Sequence, residues 1–152
     1  MAMTPAPAAC GCEASCSPEA PAASVSLPIV WQRLVSQGGT CPRCGDTQAA
    51  VEGAVATLTE ILRPLHIEPI LETVALDQDT FERSPTESNR VWIAGRPLED
   101  WLGAGVASSG CCSVCGDHNC RTLEVGGASY EAVPETLIVR AGLVAASTLV
   151  AA

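Results

Sequence analysis

The chain has 152 residues, 47% of them apolar, and a formal net charge of −9. That length suits one domain, or one domain with a tail, and the apolar share is enough for a core. The acidic balance speaks against nucleic acid or an anionic membrane surface as a partner, because both reward clustered Lys and Arg. Residues 1–26 are rich in Ala, Pro and Ser without a period, and read as a disordered tail carrying Cys10, Cys12 and Cys16. No Lys or Arg and no continuous apolar segment occurs before Pro28, so a signal peptide is not expected. No run of 18 apolar residues exists either, which argues against a membrane span. The expected compartment is the cytoplasm, with reduced thiols.

Order is expected over residues 27–148. Leu27 to Val35 reads as a strand, and Ser36 to Thr40 as a loop. Asp46 or Thr47 is the expected cap of a helix whose stripe is Val51, Val55, Leu58, Leu62 and Leu65. Pro64 should stop that helix near Leu62. Ile67 to Ala75 suits a strand, and Pro69 would put it on a sheet edge. Leu76 to Ser88 reads as a loop or short helix. Arg90 to Ala94 is a strand closed by Gly95, and Leu98 to Leu102 a single helical turn. Gly103 to Cys120 reads as an irregular cysteine-rich loop. Gly126-Gly127 should join two strands, Thr122 to Val125 and Ala128 to Ala132, as a hairpin. A last helix opens at Pro134-Glu135 and buries Leu137, Ile138, Ala141 and Ala145. With few aromatics, the core must come mainly from Val, Leu, Ile and Ala.

Nine cysteines stand out. Cys41-Pro42-Arg43-Cys44-Gly45-Asp46 and Cys112-Ser113-Val114-Cys115-Gly116-Asp117 share one pattern, C-x-x-C-G-D. Cys111 and Cys120 extend the second copy. In a reducing compartment such pairs bind metal or do redox chemistry. Three chemistries fit. Soft thiolates select thiophilic ions, and arsenite, mercury or copper(I) would be held by Cys41, Cys44, Cys111, Cys112, Cys115 and Cys120. Cys10, Cys12 and Cys16 would form an auxiliary tail site, with His118 as an additional ligand. This reading uses all nine thiols and is preferred. Alternatively Cys41 and Cys44, at a helix N-terminus, act as a thiol–disulfide oxidoreductase that passes electrons with Cys112 and Cys115. In the third reading, Cys41, Cys44, Cys112 and Cys115 hold a structural zinc in an interaction module. The expected partners are the ion and another thiol protein, and no organic cofactor is implied. His66, Asp46 and Asp117 suit caps or turns, although Asp117 also suits a place beside the thiols. Arg43, Arg90 and Arg121 suit surface salt bridges.

The order strand, C-x-x-C, helix, strand, loop, strand, hairpin, helix resembles the thioredoxin-like fold, an α/β domain of βαβ–ββα type with a cysteine-rich loop insertion. The segment Asn89 to Arg96 is similar to the third strand and turn of glutaredoxin-type members. C-P-R-C-G-D, E-S-N-R-V-W-I-A-G-R-P-L-E-D-W-L and C-C-S-V-C-G-D-H-N-C-R-T-L-E-V together resemble an uncharacterised bacterial family of cysteine-rich thioredoxin-like proteins. That resemblance implies a fold and no activity. Two departures from ordinary thioredoxin-like enzymes are Ser88-Asn89, where those carry a cis-proline, and the Gly103 to Cys120 loop.

Overall fold

The computed structural model describes residues 22–111 and 115–150. The tail cysteines Cys10, Cys12 and Cys16, and Cys112 of the second motif, lie outside the described residues. The described part is a mixed α/β fold with two sheets and four α-helices.

The first strand, β1 (Val25–Leu34), begins two residues before the expected start at Leu27. Its residues alternate, so Leu27, Ile29 and Trp31 are fully buried on one side. Helix α1 (Pro42–Leu62) follows a short loop. It starts earlier than expected, because Pro42 supplies the preset φ of a first helical residue and Cys41 becomes the N-cap. Asp46 and Thr47 therefore lie inside the helix rather than at its cap. α1 ends at Leu62, ahead of Pro64, and Leu65 falls in an exposed 3-10 turn outside the buried stripe.

β2 (Ile67–Leu76) runs parallel to β1 along its full length. It is the sheet edge, where Pro69 removes no needed donor. A short helix α2 (Gln78–Arg83) is capped by the Asp77 carboxylate, which accepts from the Thr80 N–H. β3 (Arg90–Ile93) returns antiparallel to β1, and β4 (Arg96–Pro97) completes the order β2-β1-β3-β4. This arrangement is consistent with a thioredoxin-like fold, with the C-x-x-C at the junction of β1 and α1.

Helix α3 (Leu98–Leu102) is the expected single turn. Beyond it the structure departs from expectation. β5 (Gly105–Gly110), β6 (Asn119–Val125) and β7 (Ala128–Tyr130) form a separate antiparallel sheet. The segment expected to be irregular is thus a strand as far as Gly110. Its small residues carry no apolar alternation, and its order comes from pairing with β6. The Gly126-Gly127 hairpin forms as expected, both glycines at positive φ.

Helix α4 (Glu135–Val150) packs beside α1 against the first sheet. Gly142 makes the contact close: a Cβ there would sit 2.5 Å from Cδ1 of the fully buried Leu58. The core joins Leu27, Ile29, Trp31, Val91 and Ile93 of the sheet to Val51 and Leu58 of α1 and Ile138 and Ala141 of α4. No helix among the described residues is long and apolar enough to cross a membrane.

Candidate metal centre

The two C-x-x-C motifs meet in space. Cys41 stands at the N-cap of α1, and Cys111 follows the last residue of β5. Their sulfurs are 3.8 Å apart across 70 residues of sequence. The Cys111 thiol lies 3.2 Å from Cys115 Sγ. One sulfur from each of Cys41, Cys111 and Cys115 lies within 4.8 Å of the other two. Cys41 and Cys115 are each 2% exposed, while Cys111 is half-buried. All five described cysteines are free thiols.

The donor set suits a soft ion. Thiolates on one tetrahedral zinc, with bonds of about 2.3 Å, stand about 3.8 Å apart, close to the Cys41–Cys111 separation. Three thiols and no described carboxylate or imidazole in the group favour soft acceptors over hard cations.

Cys44 does not join the three. It sits on the same face of α1 as Thr47 and Val51, which turns it into the core, and its sulfur lies 3.8 Å from Ser88 Oγ. Ser88 Oγ in turn accepts from the Leu34 N–H, so the residue in the expected cis-proline region fixes β1 and meets the inner thiol. Burial, and then the neighbouring Cys41, push the Cys44 thiol up to about 12 from an ordinary 9.0. Cys120 is buried beside the group. Burial first, then its hydrogen bond with Cys111, push its thiol up to about 12. Burial also raises Cys115 strongly, reinforced by hydrogen bonds with Cys111 and Cys120. Without an ion these buried thiols favour their protonated form, and an ion held by Cys115 must displace its proton.

Arg43, between the two thiols of the first motif, is not a surface group. Its side chain is 8% exposed, and its Nη2 donates to Ser109 Oγ (2.8 Å) and the Gly110 carbonyl (3.1 Å) and pairs with Glu131 (2.9 Å). These bonds fasten the end of β5, and with it Cys111, to the first turn of α1. Thr47 extends the fastening, because its hydroxyl accepts from the Val133 N–H at 3.0 Å. Asn89 completes it by taking a bond from the Trp31 indole and giving one to the Glu131 carbonyl. Arg121 is also buried rather than superficial, paired with Glu99 and bonded to the Thr86 carbonyl. It sets β6, which carries Cys120. Sequence reasoning missed the anchoring roles of Arg43, Ser88 and Glu131. The placement of Arg between two thiols was the one available signal.

The remaining candidates lie apart. His118 packs edge-on against Phe81, ring centroids 5.4 Å apart. His66 closes the turn after α1 in a left-handed conformation, with its N–H bonded to the Arg63 carbonyl. Asp46 and Asp117 are exposed.

Residues 27–142 match the model of a domain of unknown function, DUF2703. The chain belongs to that family. An uncharacterized protein of Archaeoglobus fulgidus is 47% identical over 114 residues, which cover 75% of this chain and 83% of the relative. No solved structure matches the chain.

Proposed function

We propose that this DUF2703 protein binds a thiophilic metal or metalloid ion, such as arsenite, mercury or copper(I), through Cys41, Cys111 and Cys115, and buffers or delivers it. The observation that carries the reading is the convergence, within 4.8 Å, of three unpaired sulfurs from two segments 70 residues apart in sequence. Packing alone gives no reason to gather three sulfurs around Cys115, whose proton burial makes hard to lose. A soft ion supplies that reason, since thiolates are its preferred donors. Cys120 stands next to the group as a further donor, and the tail thiols would load or unload it by ligand exchange. The reading assigns the protein to a reducing compartment, the cytoplasm, and gives it a role in metal handling or resistance.

The oxidoreductase alternative rests on Cys41 at the N-cap of a 21-residue helix, the place of the attacking thiol in a C-x-x-C pair. Its burial counts against attack on a protein disulfide, which needs access to the sulfur.

Elemental analysis and thiol titration of anaerobically purified protein test the reading. The expected result is tight uptake of one arsenite, mercury(II) or copper(I) per chain, with at least three thiols protected and the uptake lost in Cys41→Ser or Cys115→Ser. Protein that takes up none of these refutes it. One resident zinc with four protected thiols would put the structural-zinc reading first. Disulfide reduction that depends on Cys41, without ion uptake, would put the oxidoreductase first.

A further inference from the structure

A cleft of about 330 Å³ opens beside the thiol group, lined by Pro42, Arg43, Asp46, Gly110, Cys111 and Glu131 among others. Cys111, the half-buried thiol, is the member of the group that borders it. An ion at the group therefore has this cleft on its open side. The charges around the cleft have both signs. Arg43 supplies a guanidinium that is more than nine-tenths buried, and its Nη1 has no partner among the described residues. The first turn of α1 beside it has no acidic residue and no side-chain cap, so its leading N–H groups also favour an anion. Asp46 is exposed and forms no ion pair among the described residues, and Glu131 spends one oxygen on Arg43 while its side chain remains 65% exposed. Those two carboxylates favour a cation. A plain anion would be repelled by them, and a plain cation by Arg43.

We infer that the cleft takes a small zwitterionic thiol, a cysteine-containing amino acid or short peptide, as the exchange partner for the ion. This rests on the ion-binding reading above. The ligand's carboxylate would meet Arg43 and the first turn of α1, its ammonium Asp46 and Glu131, and its sulfur the ion at Cys111. The volume lies at the lower end of small-molecule sites, which suits a molecule up to about tripeptide size. The incoming thiol loses its proton to solvent and forms one bond to the ion. It adds beside the three protein thiolates, or displaces one of them, which then takes up a proton. No electrons move. The cleft thus makes ion transfer selective for thiols that carry both charges.

The test uses the full chain loaded anaerobically with one mercury(II), titrated calorimetrically with reduced glutathione and with 2-mercaptoethanol. Glutathione should bind at least about tenfold more tightly than the uncharged thiol, since its charged groups gain hydrogen bonds that the latter lacks. Asp46→Asn, at an exposed position, should shrink that ratio while leaving mercury stoichiometry and thiol protection unchanged. Arg43→Gln should shrink it too, but Arg43 also holds Gly110, so Asp46→Asn decides. Equal affinity for the two thiols in the parent protein, or an unchanged ratio in Asp46→Asn, overturns the inference and leaves the ion-binding reading standing. Failure to load mercury overturns the inference, and failure to take up arsenite and copper(I) as well overturns the ion-binding reading.

Discussion

Raising the pH should destabilise the ion-free protein, and Cys44 sets a measurable part of the loss. Burial lifts this thiol from 9.0 to about 12 in the folded chain. A group whose pKa is higher folded than unfolded holds its proton more tightly in the native state. Its stability contribution is whole below pH 9 and disappears as pH climbs toward 12. From those two values, Cys44 alone costs on the order of 1 kcal/mol by pH 10 and on the order of 3 kcal/mol by pH 11. The chain contains no lysine, so no side-chain ammonium titrates across this window. Cys44→Ala removes the titration at the expense of a sulfur-sized void, about 1 to 2 kcal/mol. Urea unfolding with reductant and a strong chelator, at pH 8, 9, 10 and 11, should show two curves that cross. The variant is less stable at pH 8 and equal or more stable at pH 11. Parallel curves would refute the argument, because they would mean that the buried Cys44 thiol loses its proton as easily folded as unfolded.

Other perturbations follow from the same geometry. An ion that binds only the folded state, supplied at 100 times its Kd, adds about 2.7 kcal/mol, which at this chain length raises Tm by about 5 to 11 °C. Cys111→Ser should lose most of that rise in a thermal melt, and an equal rise in the variant would count against the three-thiol site. Gly142→Ala should lower the urea midpoint, since overpacking against Leu58 costs about 1 to 3 kcal/mol and better helix propensity returns only about 1. Gly53→Ala should not lower it, because the new Cβ meets only the mobile tip of Glu135. Glu99→Gln should cost about 3 to 5 kcal/mol by leaving the buried Arg121 without its counter-charge, and a loss below 1 kcal/mol would show that water reaches Arg121.

Local signals in the sequence reached the elements that local chemistry decides. Gly126-Gly127 specifies a hairpin by its backbone alone, Pro64 ends α1, and Pro69 confines β2 to an edge. Pro42 carried a similar signal, since proline favours the first helical turn, and it outranks Asp46 as the marker of where α1 begins. β5 was illegible because Gly-Val-Ala-Ser-Ser-Gly has no apolar alternation, and only its ladder with β6 makes it a strand. Within the site, the thiols were legible as ligands but their selection was not. Cys44, Thr47 and Val51 share one face of α1, so helical spacing already turned Cys44 inward and away from Cys111. The pairing of Cys41 with Cys111 depends on Arg43 holding Gly110 from the far side of the chain, a contact that no local pattern encodes.

The thiol group also sits at a seam. Cys41 belongs to the first sheet and its helix, while Cys111 and Cys115 belong to the segment that joins β5 to β6. An ion held by all three would add a rivet between the two layers, beside the bonds of Arg43, Thr47 and Asn89. Amide exchange in β5–β7 should slow on ion binding far more than in β1 and β2. On the ion-binding reading, release of the ion would loosen the second sheet, and loading would be legible in the motion of an entire layer as well as in the chemistry of three sulfurs.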